Sequence, residues 1–211
     1  MPTTDNPTTN GAPGTEGYAA VAAALVTQWE QISSTEHYRS VLHLVPQTPS
    51  RVLDIGAGSG RDAAWLAALG HRVVAVEPLD AFRRAGMARH RSDAIEWRND
   101  SLPELATLAG DAGCFRLVLL SAVWMHLDAD ERRRAMPRVA ALLAAGGVLI
   151  LSLRHGPVPD GRRMFAVSAE ETTSLASAAD LRPVLIQTIA SAQPANRLAG
   201  VTWTRLSFAH D

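Results

Sequence analysis

Between residues 51 and 153, short apolar runs alternate with helix-length amphipathic stretches, and this alternation confines the chain to few folds. The runs are Arg51–Ile55, His71–Glu77, Ala94–Arg98, Phe115–Ser121 and Val148–Leu153; helical patterns fill Arg61–Leu69, Asp80–His90 and Asp128–Leu143. Strands joined by helices return to the same end of a sheet, so they run parallel with helices on both faces. Val73 to Val76, Leu117 to Leu120 and Val148 to Leu151 are apolar without a break, as strands covered on both faces are. Gly70 stands where a helix C-terminus favours a left-handed residue. The last part departs from this pattern. A helix over Ala169–Ala179 leads to Val184–Ile189, then to a loop and Val201–Phe208, with no helix between the two runs. That is an antiparallel hairpin closing one sheet edge. The prediction is one α/β domain with no internal repeat.

Ahead of this core, Met1–Gly17 is rich in Thr, Pro, Asn and Gly and lacks the apolar segment of a signal peptide. It reads as a disordered tail. Tyr18–Ile32 carries Val21, Leu25, Val26, Trp29 and Ile32 at helical spacing. A second short helix is expected over Glu36–Val45, with Ser34 or Thr35 as its N-cap. Residues 18–46 would then form a helical lid on a catalytic core of 51–211. No apolar run approaches the ~18–20 residues of a membrane span, and the expected setting is cytoplasmic.

The turn after the first strand carries the chemistry. Val52-Leu53-Asp54-Ile55-Gly56-Ala57-Gly58-Ser59-Gly60-Arg61 places glycine at alternate positions between a strand and a helix. Such a turn lets a ligand approach bare backbone at the positive end of the helix dipole. A dinucleotide fingerprint would want a small residue at position 61 for close helix–strand packing, and Arg61 stands there. Glu77 ends the second strand, where a carboxylate can accept from two ribose hydroxyls. Composition narrows the chemistry further. All 20 basic residues are arginine, which excludes Schiff-base lysines and the phosphate-binding lysine of a P-loop. A single cysteine, Cys114, excludes intrachain disulfides and CxxC metal sites. His37, His43, Glu36 and Asp54 lack the spacing of a helical zinc motif, so no metal is expected.

With these residues in view, positions 51 to about 154 resemble the class I S-adenosylmethionine (SAM)-dependent methyltransferases of the broad bacterial small-molecule group. The matching pieces are V-L-D-I-G-A-G-S-G at 52–60, V-V-A-V-E-P at 73–78, N-D-S-L-P at 99–103, F-R-L-V-L-L-S-A-V-W-M-H-L at 115–127 and L-L-A-A-G-G-V-L-I-L-S at 142–152. The resemblance implies a Rossmann-like three-layer sandwich whose seven-stranded, mostly parallel sheet ends in an antiparallel strand. It implies SAM as cofactor and S-adenosylhomocysteine as product. Gly56, Ala57, Gly58 and Gly60 would border the cofactor, with Asp54 near its amino-acid end. Glu77 would hold the ribose, and Pro78 and Leu79 would line the adenine. Asp100 would accept from the adenine amino group beside the backbone of Ser101, and Ser121 and Ala122 would border the sulfonium. The family often has an acid at the position of Arg116; this departure lies before the site and is read as structural.

On the acceptor side the readings stay open. His126 is placed either to take a proton from the acceptor or to pack the start of the next helix. Arg154 and His155 follow the fifth strand, where ligands meet open parallel sheets; the alternative for Arg154 is an ion pair. Tyr18 and Trp124 are candidates for acceptor contact, against plain core packing for each. Arginines on the Asp80–His90 and Asp128–Leu143 helices are interspersed with acids and read as solvated faces rather than a nucleic-acid footprint. The function expected is metal-independent methyl transfer to a small molecule. The alternatives are an RNA or protein methyltransferase, a non-catalytic SAM-binding partner subunit, and a NAD-dependent oxidoreductase.

Overall fold

Period-two alternation in the strands assigns their side chains to two separate cores. The computed structural model describes residues 12–211, and most of the expected tail, residues 1–11, lies outside the described residues. The strands are β1 Arg51–Ile55, β2 Arg72–Val76, β3 Ile95–Arg98, β4 Phe115–Leu120, β5 Leu143–His155, β6 Leu181–Ala190 and β7 Thr202–His210. The helices are α1 Ala22–Trp29, α2 Ser34–His37, α3 Arg61–Ala68, α4 Asp80–Arg89, α5 Ala129–Leu142, α6 Ala169–Ser177 and α7 Pro194–Leu198. One sheet runs β3-β2-β1-β4-β5-β7-β6. β1 to β5 are parallel, and β7 is antiparallel to both β5 and β6. This is the seven-stranded, three-layer arrangement expected.

Val52 pairs with Val73 and Leu117, and all three pack under α3 with Ala63, Leu66, Tyr38 and Val41. Their neighbours Leu53, Val74 and Val118 face the other way, against Ala135, Met136 and Val139 of α5 and Ala176 of α6. Burying each such aliphatic side chain contributes roughly 1.5–3 kcal/mol. Strand order reverses between β1 and β4, so the crevice for ligands opens outside their carboxyl ends.

Several boundaries differ from expectation, each for a physical reason. The helix expected over Tyr18–Ile32 is a 3-10 turn, Ala19–Val21, followed by α1. Ser33, rather than Ser34 or Thr35, caps α2 by accepting from the Glu36 N–H. Ser34 is buried and donates to Asp62 Oδ1 at 2.7 Å, while the Tyr38 hydroxyl donates to Oδ2 at 2.8 Å. Those two bonds fasten α2 to the first turn of α3. α2 then yields to a 3-10 stretch, Arg39–Leu44. β5 starts at Leu143, immediately after α5, so Gly146 and Gly147 lie inside a strand rather than before it. α5 itself opens with a full capping box between Asp128 and Glu131.

Candidate functional site

At the carboxyl ends of β1, β2, β4 and β5 lies a cavity of about 470 Å³. Its first half is made by the strand ends. The Val76 carbonyl accepts from the N–H groups of both Gly56 and Ala57, at 2.8 and 2.9 Å, so the glycine turn folds back over β2. Gly56 has φ 72°, and a Cβ there would lie 2.4 Å from Val123 Cγ2; at Gly58, with φ 55°, it would lie 3.0 Å from the Trp29 ring. Only bare backbone fits. Glu77 Oε2 accepts from the Gly58 N–H at 2.9 Å, and Oε1 from the Leu79 N–H at 2.8 Å. Burial pushes the Glu77 carboxyl up to about 7 against these two bonds and the nearby Arg83. Asp54 is buried, and its Oδ2 has no hydrogen-bond partner among the described residues. Burial first, and then the charge of Asp62, hold its carboxyl well above the usual range.

Pro78, Leu79 and Phe82 wall this half on one side, and Asp100, Ser101 and Leu102 on another. Asp100 also closes its own turn, accepting from the N–H groups of Ser101 and Thr107 at 2.8 and 2.7 Å. Ser121 and Ala122 reach the cavity from the end of β4, where the Ala122 N–H donates to Ser152 Oγ at 2.9 Å. Gly60, expected beside the cofactor, stands behind the cavity wall. It precedes α3 with φ 81°, and a Cβ there would meet Trp97 at 2.8 Å, so its role is to let the turn pack on β3. Arg61 lines the cavity, with its guanidinium given to Asp62.

The second half comes from connections. Pro13, Gly14, Thr15 and Tyr18 line it from the chain's start, Arg154, Pro159, Arg162 and Met164 from the end of β5 and beyond, and Gln193 and Asn196 from the β6–β7 connection. Residues 12–17, read as tail from sequence, therefore turn across the cavity. His126 is 8% exposed. Its Nδ1 lies 2.7 Å from the Arg163 carbonyl oxygen and its Nε2 3.1 Å from the Tyr18 hydroxyl. A carbonyl only accepts, so Nδ1 carries the proton and the Nε2 lone pair receives the Tyr18 O–H. Burial holds His126 below its usual pKa and the Tyr18 phenol above its own, which keeps the pair neutral. The Arg162 guanidinium lies over the Tyr18 ring, 3.4 Å from its centroid.

Two expected acceptor contacts fall elsewhere. Side chains alternate along a strand, so Arg154 faces the cavity while His155 is spent on Thr204 Oγ1 of β7, at 2.8 Å. Trp124 is fully buried in the core; the 3-10 turn Trp124–His126 brings Met125 and His126 to the cavity and leaves Trp124 behind them. The segment around α1 covers both halves. Leu25, Gln28 and Trp29 line the cavity, Trp29 packs on Phe82 with centroids 4.9 Å apart, and Glu30 Oε1 accepts from Ser59 Oγ at 2.5 Å beside His90 Nε2 at 3.1 Å.

A family profile described as a methyltransferase domain matches residues 52–147. That span holds the glycine turn, Glu77, the Asp100 turn and the end of β4. The match is consistent with a class I SAM-dependent methyltransferase. Among solved structures, the chain is similar to 1,6-didemethyltoxoflavin-N1-methyltransferase of Burkholderia thailandensis, crystallised with 1,6-didemethyltoxoflavin and S-adenosylhomocysteine. Their TM-score is 0.69 at 26% identity, covering 95% of this chain and 91% of that one. It is 38% identical over 113 residues to the ribosomal protein L11 methyltransferase of Syntrophotalea carbinolica, covering 53% of this chain and 34% of that protein. An uncharacterised methyltransferase of Mycobacterium tuberculosis is 32% identical over 113 residues, 50% of this chain and 40% of its own. The chain thus spans well under half the length of these curated relatives. No helix among the described residues is long and apolar enough to cross a membrane. Arginines on α4 and α5 are met by acids, Arg84 with Asp80 and Arg132 with Glu171.

Proposed function

We propose that the protein transfers a methyl group from SAM to a small-molecule acceptor by direct displacement and without a metal ion. The observation that carries this is one covered cavity with two chemically distinct halves. Its volume, about 470 Å³, lies within the ~300–1,000 Å³ of small-molecule sites. The residues of the first half fit the cofactor. The unpartnered Asp54 oxygen suits an ammonium, the Glu77 carboxylate suits a vicinal diol, and Pro78, Leu79 and Phe82 suit the face of an adenine. When bound, SAM supplies a methyl group on a positively charged sulfur.

The chain's own contribution is alignment, which can supply ~7–11 kcal/mol of a barrier when the reacting atoms are held in line. Where the acceptor atom carries a hydrogen, that X–H bond would break as X bonds to the methyl carbon, the methyl–sulfur bond being given up with its electron pair to S-adenosylhomocysteine as leaving group. Tyr18 takes the proton while its own passes to His126 Nε2, and the Nδ1–H stays on the Arg163 carbonyl. A small acceptor is favoured by the wall of the second half, where Tyr18 and residues 13–15 line the cavity. The small heterocycle bound to the Burkholderia enzyme supports the same reading. Calorimetry tests the donor: S-adenosylhomocysteine binds in the micromolar range (~−8 kcal/mol) and NAD negligibly. Transfer of label from methyl-labelled SAM tests the acceptor. Counts in the small-molecule fraction of an extract are expected; counts in protein or RNA would overturn this half of the proposal.

A further inference from the structure

Three arginines meet around the acceptor half, and they are not alike. Arg163 is satisfied: it donates to the His126 carbonyl at 2.7 Å and pairs with Glu131 at 2.9 Å and Asp128 at 3.3 Å. Those two acids are therefore occupied. Arg154 donates to the Pro157 carbonyl at 2.7 Å and has no carboxylate partner among the described residues. Arg162 has its guanidinium on the Tyr18 ring, no carboxylate partner among the described residues, and a buried Nη1 with no hydrogen-bond partner among them. Both line the cavity with Tyr18 and His126, and both act electrostatically on the Tyr18 hydroxyl. Burial disfavours charge on Arg154. Two like charges lining one cavity without a carboxylate counter-ion among the described residues favour a ligand that brings the opposite sign.

Resting on the methyltransferase reading, we infer that the acceptor binds as an anion, its negative charge held between Arg154 and Arg162. Arginine forks match planar, delocalised oxygen or nitrogen anions. Met125, Met164 and Trp203 supply apolar wall beside them, so the fitting class is a flat conjugated acid. The charge comes either from the reacting atom itself, an ionised O–H or N–H, or from a carboxylate elsewhere on the acceptor. An anionic acceptor would also be attracted to the positively charged sulfur that the donor brings.

The test loads the protein with S-adenosylhomocysteine and titrates it with 4-nitrophenol, whose anion absorbs visible light, with benzoate, and with the uncharged 4-nitroanisole. Calorimetry of the first step reads the donor site separately, so its failure would count against the methyltransferase reading and not against the arginines. The expected result is an anion bound in preference to 4-nitroanisole. 4-Nitrophenol would bind as its phenolate at a pH below its own pKa if the charge is on the reacting atom, and benzoate would bind more tightly if it is a remote carboxylate. Arg154→Gln and Arg162→Gln each weaken the bound anion about tenfold or more, the scale of a charge-assisted hydrogen bond, and leave S-adenosylhomocysteine affinity unchanged. Arg154→Lys restores part of the loss. The inference is overturned if the loaded protein binds neither anion, takes 4-nitroanisole equally well, or holds anions as tightly in both Gln variants as in the wild type.

Discussion

In the cofactor half of the cavity, Asp54, Glu77 and Ser121 lie in or just beyond strands of one parallel sheet, whereas the acceptor half draws Tyr18, Arg154, Arg162 and Gln193 mostly from connections. The first half inherits its geometry from backbone pairing: Asp54 sits opposite Ala75, and Ile55 opposite Val76, so Glu77 follows in fixed register. The second half is held by side chains. Tyr18 rests on His126, His126 on the Arg163 backbone, and Arg163 on Glu131. A fault in the first half should therefore show in donor affinity, and a fault in the second in turnover.

The largest expected effect is on the acceptor side. His126→Ala should lower turnover at saturating substrates by ~10²–10⁴-fold, the range of general base catalysis, with S-adenosylhomocysteine affinity preserved. If melting temperature falls while turnover holds, the histidine only packs. Next, Glu77→Ala should weaken S-adenosylhomocysteine by ~1.5–3 kcal/mol through loss of charged acceptors. Calorimetry showing unchanged affinity would remove Glu77 from the ribose site and blur the division between the halves.

A pH series sharpens the comparison with a smaller effect. Folding raises the Glu77 pKa from 4.5 to about 7, so the folded chain holds this proton more firmly than the unfolded one. The resulting stability is fully present below pH 4.5 and is lost as pH rises through 7, a change of roughly 3 kcal/mol. The melting temperature of ligand-free protein should drop across this window, and Glu77→Gln should flatten the drop. S-Adenosylhomocysteine affinity should rise over the same interval in the wild type, because the diol needs the ionised carboxyl, and stay level in Glu77→Gln. The smallest effect expected is none. No group of three His, Cys, Asp or Glu among the described residues is arranged to hold a metal, so EDTA should leave turnover unaltered; loss restored by Mg²⁺ would refute the metal-free reading.

How far the sequence could be read follows the same division. Unbroken apolar runs fix strands, and a glycine turn next to an acid marks where a ligand meets backbone, so Asp54, Gly56, Gly58 and Glu77 were legible from local pattern. Gly60 was not, because its constraint is the Trp97 ring arriving from β3. Residues 13–15 looked like tail, since nothing local in a Pro-Gly-Thr stretch announces that it lies across a cavity. The Arg162–Tyr18 stacking joins positions 144 residues apart, and no periodicity links them. Arg154 and His155 were inseparable until the extent of β5 showed that alternate faces send one to the cavity and the other to Thr204. The N-cap of α2 slipped by one residue because Ser34 is drawn inward by Asp62.

The cover has a consequence for how the two ligands act on one another. α1 is short, and its buried residues are Ala22 and Val26; the rest of its hold is Trp29 on Phe82 and Glu30 between Ser59 and His90. Trp29 faces the donor half, and Tyr18, eleven residues earlier, faces the acceptor half. Each ligand's apparent dissociation constant is its intrinsic one divided by the fraction of molecules with this segment closed. Whichever ligand arrives first raises that fraction for the second. Donor and acceptor should thus bind with positive cooperativity beyond any direct attraction between them, and a substitution that loosens Glu30 should weaken both by the same factor.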